Sequence, residues 1–249
     1  MKELPRLFLI PGWAHDTSAM EDLRKHLEDT ANVSSISTGD LWNNNKETSF
    51  QSPYAQNLVK LIKKTGDRVF IAGWSLGGMI ALETAAHQPD LVAGLVLISS
   101  TAKFRADKSW TAGVTTGALR AMKSMFKSDP RGVLRQFFKN VAFRLEGKNE
   151  TLALKIEKAC AMNPLELSAG LEYLSVTDLR NEATKVNIPV LILHGKQDVI
   201  IPVEAGMALK NMLPVSKIHV YDNYGHGLPW QNPRAIAENI KEFLKECRN

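Results

Sequence analysis

The chain has 249 residues, 44% of them hydrophobic and 23% charged, with a net charge of +5. This length suits one large domain with a sizeable core, and the balance of apolar and charged residues excludes a disordered chain and a coiled coil. The two cysteines, Cys160 and Cys247, are too few and too far apart for a disulfide framework or a metal motif, so we expect free thiols.

The first apolar segment spans residues 7–10 and is ended by Pro11 and Gly12. It is much shorter than the core of a signal peptide or a membrane span. The sequence therefore predicts a cytoplasmic protein.

Five short runs of β-branched and aliphatic residues, each bounded by turn residues, predict buried strands at 7–10, 69–72, 95–98, 190–193 and 218–221. Continuous apolarity, in place of alternation, is typical of a parallel sheet with helices on both faces. Helical patterns lie between the runs. In the last helix, Asn232 is placed to cap, Pro233 suits the first helical position, and an apolar stripe follows. The predicted fold class is α/β, with a mostly parallel central sheet flanked by helices.

Between residues 103 and 175 the strand pattern stops and apolar residues recur at helical spacing. This segment carries 13 basic and 7 acidic residues, a net charge of +6, while the rest of the chain carries −1. The strand-and-helix pattern resumes after it. We therefore predict a helical lid at 103–175, inserted into a core domain formed by residues 1–102 and 176–249.

The second predicted strand runs into Gly-Trp-Ser-Leu-Gly-Gly at residues 73–78, which a helical pattern follows. In a Gly-x-Ser-x-Gly turn between strand and helix, the glycines allow a sharp turn that projects the serine hydroxyl above the sheet. Ser75 would also lie at a helix N-terminus, where free N–H groups favour developing negative charge. We predict that Ser75 is a nucleophile, which requires a base and a group that orients the base.

A candidate acid and a candidate base follow the last two predicted strands. Asp198 lies in the loop after the fourth strand, and His226 lies in a glycine-flanked loop after the fifth. The order Ser75, Asp198, His226 is that of an α/β-hydrolase triad, with each residue at the carboxyl end of a strand. Asp222, which precedes His226 in the same loop, is an alternative orienting acid.

Acyl transfer also needs donors for the oxyanion, each worth about 10²- to 10³-fold in rate. The backbone N–H of Leu76, directly after Ser75, is one candidate. The loop after the first strand supplies a second at Trp13, where Gly12 lets the backbone approach closely. The sequence therefore predicts an oxyanion hole formed by Trp13 and Leu76.

These motifs resemble the α/β-hydrolase superfamily and, more narrowly, the BioH family of pimeloyl-[acyl-carrier protein] methyl ester esterases. The narrower resemblance rests on Gly12-Trp13, the motif at 73–78, the segment at 170–180, and the loops of Asp198 and His226. It covers nearly the whole chain. The α/β-hydrolase fold with a helical lid insertion is the architecture that it implies.

The resemblance implies hydrolysis of the methyl ester on a pimeloyl chain carried by acyl carrier protein, in biotin synthesis. It implies that Ser75 attacks the ester carbonyl, that His226 takes and returns the proton, and that Asp198 orients His226. It also implies a set of residues that contact the substrate: Trp13, Trp74, Ser75, Leu76, Phe137, Phe138, Lys139, Asn140, Val141 and His226.

The family uses lid arginines to dock the acidic carrier protein, and the basic lid of this chain fits such docking independently. Arg131 and Arg135, one helical turn apart, are the first docking candidates, and Arg144, Lys155 and Lys158 are secondary ones. A basic helix face that only contacts solvent is the alternative.

Two segments depart from the family pattern. Pro11-Gly12 stands where the family has His-Gly, which changes the stiffness of the loop and not the position of the donor. A serine-containing turn common after the next strand is replaced at 40–45, so the pocket shape near residues 40–50 is left open.

Three other functions fit part of the pattern. A general short-chain carboxylesterase or thioesterase would keep the triad without the carrier protein, and a lyase of menaquinone synthesis would use it to abstract a proton. A non-catalytic binding module would share only the fold. Ser75 excludes dehalogenase and epoxide-hydrolase chemistry, which needs an aspartate at that position.

The sequence has neither metal-ligand spacing nor a phosphate-binding loop, so we expect no cofactor. We also expect a monomer that binds neither nucleic acid nor membrane.

Overall fold

The computed structural model describes residues 3–42, 52–143 and 149–248. Within these ranges the strands are β1 (Arg6–Ile10), β2 (Asn32–Ser35), β3 (Val69–Trp74), β4 (Val92–Ile98), β5 (Val190–Gly195) and β6 (Ser216–Tyr221). The helices of the same ranges are α1 (Glu21–Leu27), α2 (Thr38–Leu41), α3 (Pro53–Thr65), α4 (Leu76–His87), α5 (Thr116–Ser128), α6 (Pro130–Val141), α7 (Asn149–Cys160), α8 (Pro164–Val176), α9 (Arg180–Ala183), α10 (Val203–Met212), α11 (Leu228–Gln231) and α12 (Pro233–Glu246).

The strands form one parallel sheet in the order β2-β1-β3-β4-β5-β6. The five predicted strands are all present, and the predicted α/β class is confirmed. The prediction that all five are buried is wrong for β6, because this strand lies at an edge of the sheet and is half-buried or exposed up to Val220. The sequence does not predict β2, because Asn-Val-Ser-Ser contains a single apolar residue. This strand lies at the edge of the sheet, and its residues are half-buried or exposed, so pairing does not depend on an apolar run.

The strand order reverses beside β1. From β1 the chain passes to β2 on one side and then crosses to β3 on the other, where Ile10 pairs with Gly73. Loops that leave neighbouring strands in opposite directions open a crevice at the carboxyl ends of the strands, where ligands bind in such sheets. The loop after β1 carries Trp13 and the turn after β3 carries Ser75, so both lie at this crevice.

Helices cover the sheet as the sequence predicts. The ten residues Leu76–Ala85 of α4 are all buried, which is typical of a helix enclosed on every side. At the start of α12, the Asn232 side chain accepts a hydrogen bond from the Ala235 N–H at 3.3 Å, and Pro233 occupies the first helical position. The apolar stripe of α12 is buried: Ile236, Ile240, Phe243 and Leu244.

The helices α5 to α8 lie between β4 and β5, inside the predicted insertion. Helical structure begins at Thr116, later than predicted, because residues 103–115 form a loop with isolated β-bridges. Lys103 is 4% exposed, bridges to Asp178, and places its ammonium 2.8 Å from the Asp178 carboxylate. This ion pair, of a buried lysine with a half-buried aspartate, joins the start of the insertion to the segment that follows α8.

Candidate active site

Ser75 lies in the sharp turn between β3 and α4. Its backbone has φ 55° and ψ −116°, a conformation that costs about 1–3 kcal/mol for a residue with a side chain. Two hydrogen bonds hold the turn: the Ser75 N–H donates to the Ile98 carbonyl at 2.9 Å, and the Ser100 hydroxyl donates to the Ser75 carbonyl at 2.8 Å. The turn has the strained strand-to-helix geometry that the Gly-x-Ser-x-Gly motif predicts.

The glycines around Ser75 are required by close backbone approach. A Cβ atom at Gly73 would collide with the backbone of Gly77, and one at Gly77 would collide with the carbonyl oxygen of Ile10. The absence of side chains at these two positions lets α4 pack directly against the ends of β1 and β3. The N-terminus of α4 is thereby fixed at the crevice.

Gly77→Ala is expected to destabilise the fold by about 3 kcal/mol, because a methyl group would overpack against the backbone of the central sheet. The matched control is Gly117→Ala in α5, whose Cβ would meet no atom within 4 Å. This control is expected to raise the free energy of unfolding by about 0.5–1 kcal/mol, since alanine favours the helix. Urea unfolding measures both effects. Equal stability of Gly77→Ala and the wild type would contradict this packing.

Asp198 and His226 form a buried pair. The Asp198 Oδ1 atom accepts hydrogen bonds from the backbone N–H groups of Ile200 and Ile201, both at 2.8 Å. The Oδ2 atom accepts a hydrogen bond from Nδ1 of His226 at 2.7 Å. Both side chains are inaccessible to solvent or nearly so. The loop after β5 therefore fixes the carboxylate, and the carboxylate fixes the imidazole with its Nε2 atom facing away.

The main chain of His226 is tied to the turn that carries Ser75. The indole Nε1 of Trp74, the residue before Ser75, donates to the His226 carbonyl at 2.9 Å. Nε2 of His226 is buried and has no hydrogen-bond partner among the described residues. The arrangement leaves one imidazole nitrogen available to a reacting group beside Ser75, as a general base requires.

Asp222, the alternative orienting acid, lies elsewhere. It is exposed and pairs with Lys196 at 2.8 Å. The hydrogen bond from Lys196, together with the positive charge of Lys196, lowers the pKa of the Asp222 carboxyl. The structure therefore brings Asp198, and not Asp222, to His226.

His194, at the end of β5, supports the loop that carries Asp198, a role that the sequence motifs do not predict. Its Nε2 donates to the Ile201 carbonyl at 2.9 Å, and Gly206 leaves room for its ring. Burial lowers the pKa of His194, so the ring is neutral near pH 7. The sequence feature that could have indicated this role is a histidine at the end of an otherwise apolar strand.

The two predicted oxyanion donors belong to segments that adjoin or approach Ser75. Leu76 is the first residue of α4, so its backbone N–H has no carbonyl one helical turn earlier to bind. A Cβ built on Gly12, the residue before Trp13, would lie 3.1 Å from the Ser75 Cβ, so this loop approaches Ser75 closely. The Trp13 indole donates from Nε1 to the Leu167 carbonyl at 2.8 Å, which ties the loop to α8.

An apolar pocket of about 460 Å³ lies between the inserted helices and the loop after β5, within the size range of small-molecule sites. Trp13, in the loop that approaches Ser75, and Ile200, in the loop that carries Asp198, contribute to its wall. None of the described residues that line it is charged, and Gln136 and Asn140 are the polar ones among them. Met125 and Val199 line it and are more than half exposed, so they mark its mouth.

The predicted contact segment at 137–141 divides between three environments. Phe137 and Asn140 line the pocket. Phe138 and Val141 are buried, with Phe138 stacked on Trp230, and Lys139 is exposed. The structure therefore brings Phe137 and Asn140 to the pocket wall and places the other three away from it.

The basic residues predicted to dock the carrier protein also lie in different environments. Arg131 forms an ion pair with Glu157, and Arg135 is exposed. Two secondary candidates contact the core, where Lys158 binds the Ser18 hydroxyl at 2.8 Å and Lys155 stacks over a tryptophan ring. Arg144 lies outside the described residues.

Three further features concern metal ligands, membrane-spanning helices and cysteines. Within residues 3–42, 52–143 and 149–248, no three His, Cys, Asp or Glu side chains cluster as metal ligands. In the same ranges, no helix has both the length and the apolar character needed to span a bilayer. Cys160 and Cys247 are free.

Comparison with known proteins places this chain in a family. Residues 54–231 match the family described as serine aminopeptidase, S33. A pimeloyl-[acyl-carrier protein] methyl ester esterase of Vibrio cholerae is 26% identical and covers 95% of this chain and 93% of its own. The protein of the same name from Aromatoleum aromaticum is 31% identical, over 74% of this chain and 77% of its own.

Solved structures show the same fold. An esterase from Exiguobacterium antarcticum superposes with a TM-score of 0.87, at 19% identity, and covers 98% of this chain and 93% of its own. A bromoperoxidase from Bacillus anthracis gives the same TM-score at 20% identity, with the same coverage of both chains. The chain is therefore a hydrolase that belongs to the serine aminopeptidase S33 family of α/β-hydrolases.

Proposed function

We propose that this protein is a serine esterase that hydrolyses the methyl ester of pimeloyl-acyl carrier protein in biotin synthesis. The observation that carries the proposal is the arrangement of Ser75, His226 and Asp198, together with an uncharged apolar pocket lined by residues of the neighbouring loops. The proposed substrate is taken from the names of the relatives, and the proposed reaction follows from the chemistry of the site residues.

In the proposed reaction, Ser75 Oγ attacks the ester carbonyl while His226 Nε2 accepts the hydroxyl proton. The carbonyl oxygen becomes an oxyanion that accepts hydrogen bonds from the N–H groups of Trp13 and Leu76. His226 returns the proton to the methoxy oxygen, so methanol leaves and the pimeloyl chain remains on Ser75 as an ester. A water molecule deprotonated by His226 then attacks this acyl-enzyme and releases Ser75.

The pocket favours a neutral chain end. A methyl ester carries no charge, so it enters an uncharged apolar site at little desolvation cost, whereas a carboxylate loses its hydration there. The product carboxylate would also form near the side chain of Asp198, which is a second acidic group. Both effects favour release of the product. The same lack of charge disfavours the polyanionic substrate of a menaquinone-pathway lyase.

The inserted helices would cover the acyl chain and dock its carrier. We assign residues 1–102 and 176–249 to the core and 103–175 to a lid. Arg135 and Lys139 lie one turn apart on the exposed face of α6, while other positions of the same helix line the pocket. An acidic carrier on this face would have its prosthetic arm beside the pocket. We propose a monomer, because one chain supplies every candidate site residue, and we propose that it acts in the cytoplasm.

Methanol release tests the proposal, with methyl pimeloyl-acyl carrier protein, free methyl pimelate and a p-nitrophenyl ester as substrates. A higher kcat/KM for the carrier-bound ester, which falls as salt is added, is expected from the basic lid. Turnover of the free esters alone would identify a general carboxylesterase. No turnover of any ester would point to a lyase or a binding module.

Arg135→Glu combined with Lys139→Glu is expected to lower kcat/KM for the carrier-bound ester about tenfold, because the change removes electrostatic steering. The kcat/KM of a free ester is expected to stay unchanged. Arg131 is left intact, since a glutamate there would repel Glu157.

A matched control is Lys60→Glu combined with Lys64→Glu, which reverses two exposed charges at the same spacing on α3 of the core. This control is expected to leave both substrates unaffected. Equal losses on the carrier-bound and the free ester in the α6 variant would refute docking on this face.

A further inference from the structure

We propose that His15 is a positioning residue for the oxyanion hole, because it holds both peptide groups that flank Trp13. The proposal rests on the acyl-transfer mechanism proposed above, and it does not depend on which acyl group or carrier is the substrate. His15 has no role in the triad. It is nevertheless a nearly inaccessible polar residue, 3% exposed, in the loop that approaches the nucleophile.

The first contact of His15 is through its side chain. The Nδ1 atom lies 2.6 Å from the carbonyl oxygen of Trp13. A carbonyl can only accept a hydrogen bond, so Nδ1 carries the proton and donates it. This bond fixes the peptide group that follows Trp13.

The second contact is through the backbone. The N–H of His15 donates to the carbonyl oxygen of Gly12 at 3.3 Å, and this closes a turn over residues 12–15. The Gly12 carbonyl and the Trp13 N–H belong to one planar trans peptide group and point in opposite directions. Because His15 holds the carbonyl, it also sets the direction of the Trp13 N–H.

The turn needs such support. Ala14, between Trp13 and His15, has φ 59°, a left-handed conformation that an alanine rarely adopts. Without the side-chain bond to the Trp13 carbonyl, the peptide after Trp13 could rotate and relieve this strain. The donor before it would then lose its fixed direction.

An aromatic cage fixes the imidazole of His15. Four rings surround it, with centroids 4.4 to 5.9 Å away: Trp74, Phe137, Phe138 and Trp230. Burial in this cage lowers the pKa of His15 to about 3, although the Trp13 carbonyl opposes the shift. The ring is therefore neutral at physiological pH, and its Nδ1 proton is permanently available to Trp13.

Packing alone does not explain a histidine at this position. A phenylalanine would fill the same cage without the cost of burying a polar ring. Nε2 of His15 has no hydrogen-bond partner among the described residues, so no hydrogen bond offsets the cost of burying this polar atom. The bond from Nδ1 to Trp13 is the contact that a phenylalanine could not supply.

The test compares His15→Phe, which keeps the ring and removes the donor, with His15→Asn, whose amide nitrogen can replace Nδ1. His15→Phe is expected to lower kcat for p-nitrophenyl butyrate about 10- to 100-fold, part of the loss for removing an oxyanion donor, with KM within about twofold. His15→Asn is expected to recover most of kcat. Affinity for a boronic acid that mimics the tetrahedral intermediate is expected to fall in parallel with kcat. His26→Phe, on the exposed face of α1, is the control and should match the wild type.

Wild-type kcat in His15→Phe, or equal losses in His15→Phe and His15→Asn, would overturn the proposal. If His15→Phe does not fold, ¹⁵N NMR of the wild-type imidazole decides: the Nδ1–H tautomer supports the proposal, and the Nε2–H tautomer refutes it. A wild type that cleaves p-nitrophenyl butyrate and not the carrier-bound ester would refute the proposed substrate and leave the His15 result valid. Full activity of Ser75→Ala would overturn both proposals.

Discussion

Ser75→Ala is expected to lower kcat for ester hydrolysis by about 10⁶-fold, because removal of the nucleophile from a serine triad removes most of its rate acceleration. The fold is expected to survive. The bonds that hold the turn use the backbone of Ser75 and not its hydroxyl, so alanine leaves them in place.

Ser75→Gly separates activity from stability. Glycine adopts φ 55° without strain, so this variant is expected to be about 1–2 kcal/mol more stable than the wild type while equally inactive. Gain of stability with loss of activity is what a strained catalytic residue should give. Wild-type activity in a folded Ser75→Ala protein, or a Ser75→Gly protein less stable than the wild type, would contradict the role assigned to this turn.

Asp198→Asn is expected to lower kcat by about 10⁴-fold, because it changes which nitrogen of His226 carries the proton. The asparagine oxygen can keep both hydrogen bonds from Ile200 and Ile201, so the loop stays in place. The amide nitrogen then faces Nδ1 of His226 and must donate to it. Nδ1 becomes the acceptor, Nε2 carries the proton, and the imidazole can no longer take a proton from Ser75.

Asp222→Asn is the matched control, since Asp222 lies on the His226 loop and pairs only with an exposed lysine among the contacts described above. Its kcat is expected to equal that of the wild type. Steady-state kinetics with a p-nitrophenyl ester measures both variants. Loss of activity in Asp222→Asn together with full activity in Asp198→Asn would reverse the assignment of the orienting acid.

The positions of the candidate triad residues in the fold can be predicted from the sequence. The candidate triad residues lie in the turn or loops that follow strands predicted from the sequence, and the order of these strands in the sheet decides which loops meet. The glycines at 73 and 77 indicate close packing at the turn before any contact is known. Local pattern is informative here because each feature depends on neighbours in the chain.

The wall of the pocket does not follow from the sequence in the same way. Consecutive residues of a helix point in different directions, so five successive positions of α6 cannot all face one pocket. Phe137 and Asn140 face it, whereas Phe138 points to the core and Lys139 to solvent. A loose family resemblance through the insertion cannot supply this orientation.

The sequence does not predict the supporting roles of the two histidines, for a related reason. His15 is surrounded by rings from α6 and from α11, which are far apart in the chain. His194 contacts a carbonyl in the following loop. Because a sequence pattern reports spacing along the chain and not the cage around a side chain, neither role could be read from it.

The most direct test of the account is intact mass spectrometry of methyl pimeloyl-acyl carrier protein before and after treatment with the enzyme, with Ser75→Ala as the blank. The account predicts a carrier lighter by one methylene group, because the methyl ester becomes a carboxylate and the thioester to the carrier stays intact. A carrier that loses its whole acyl chain would identify a thioesterase, and a carrier of unchanged mass would contradict the proposed substrate.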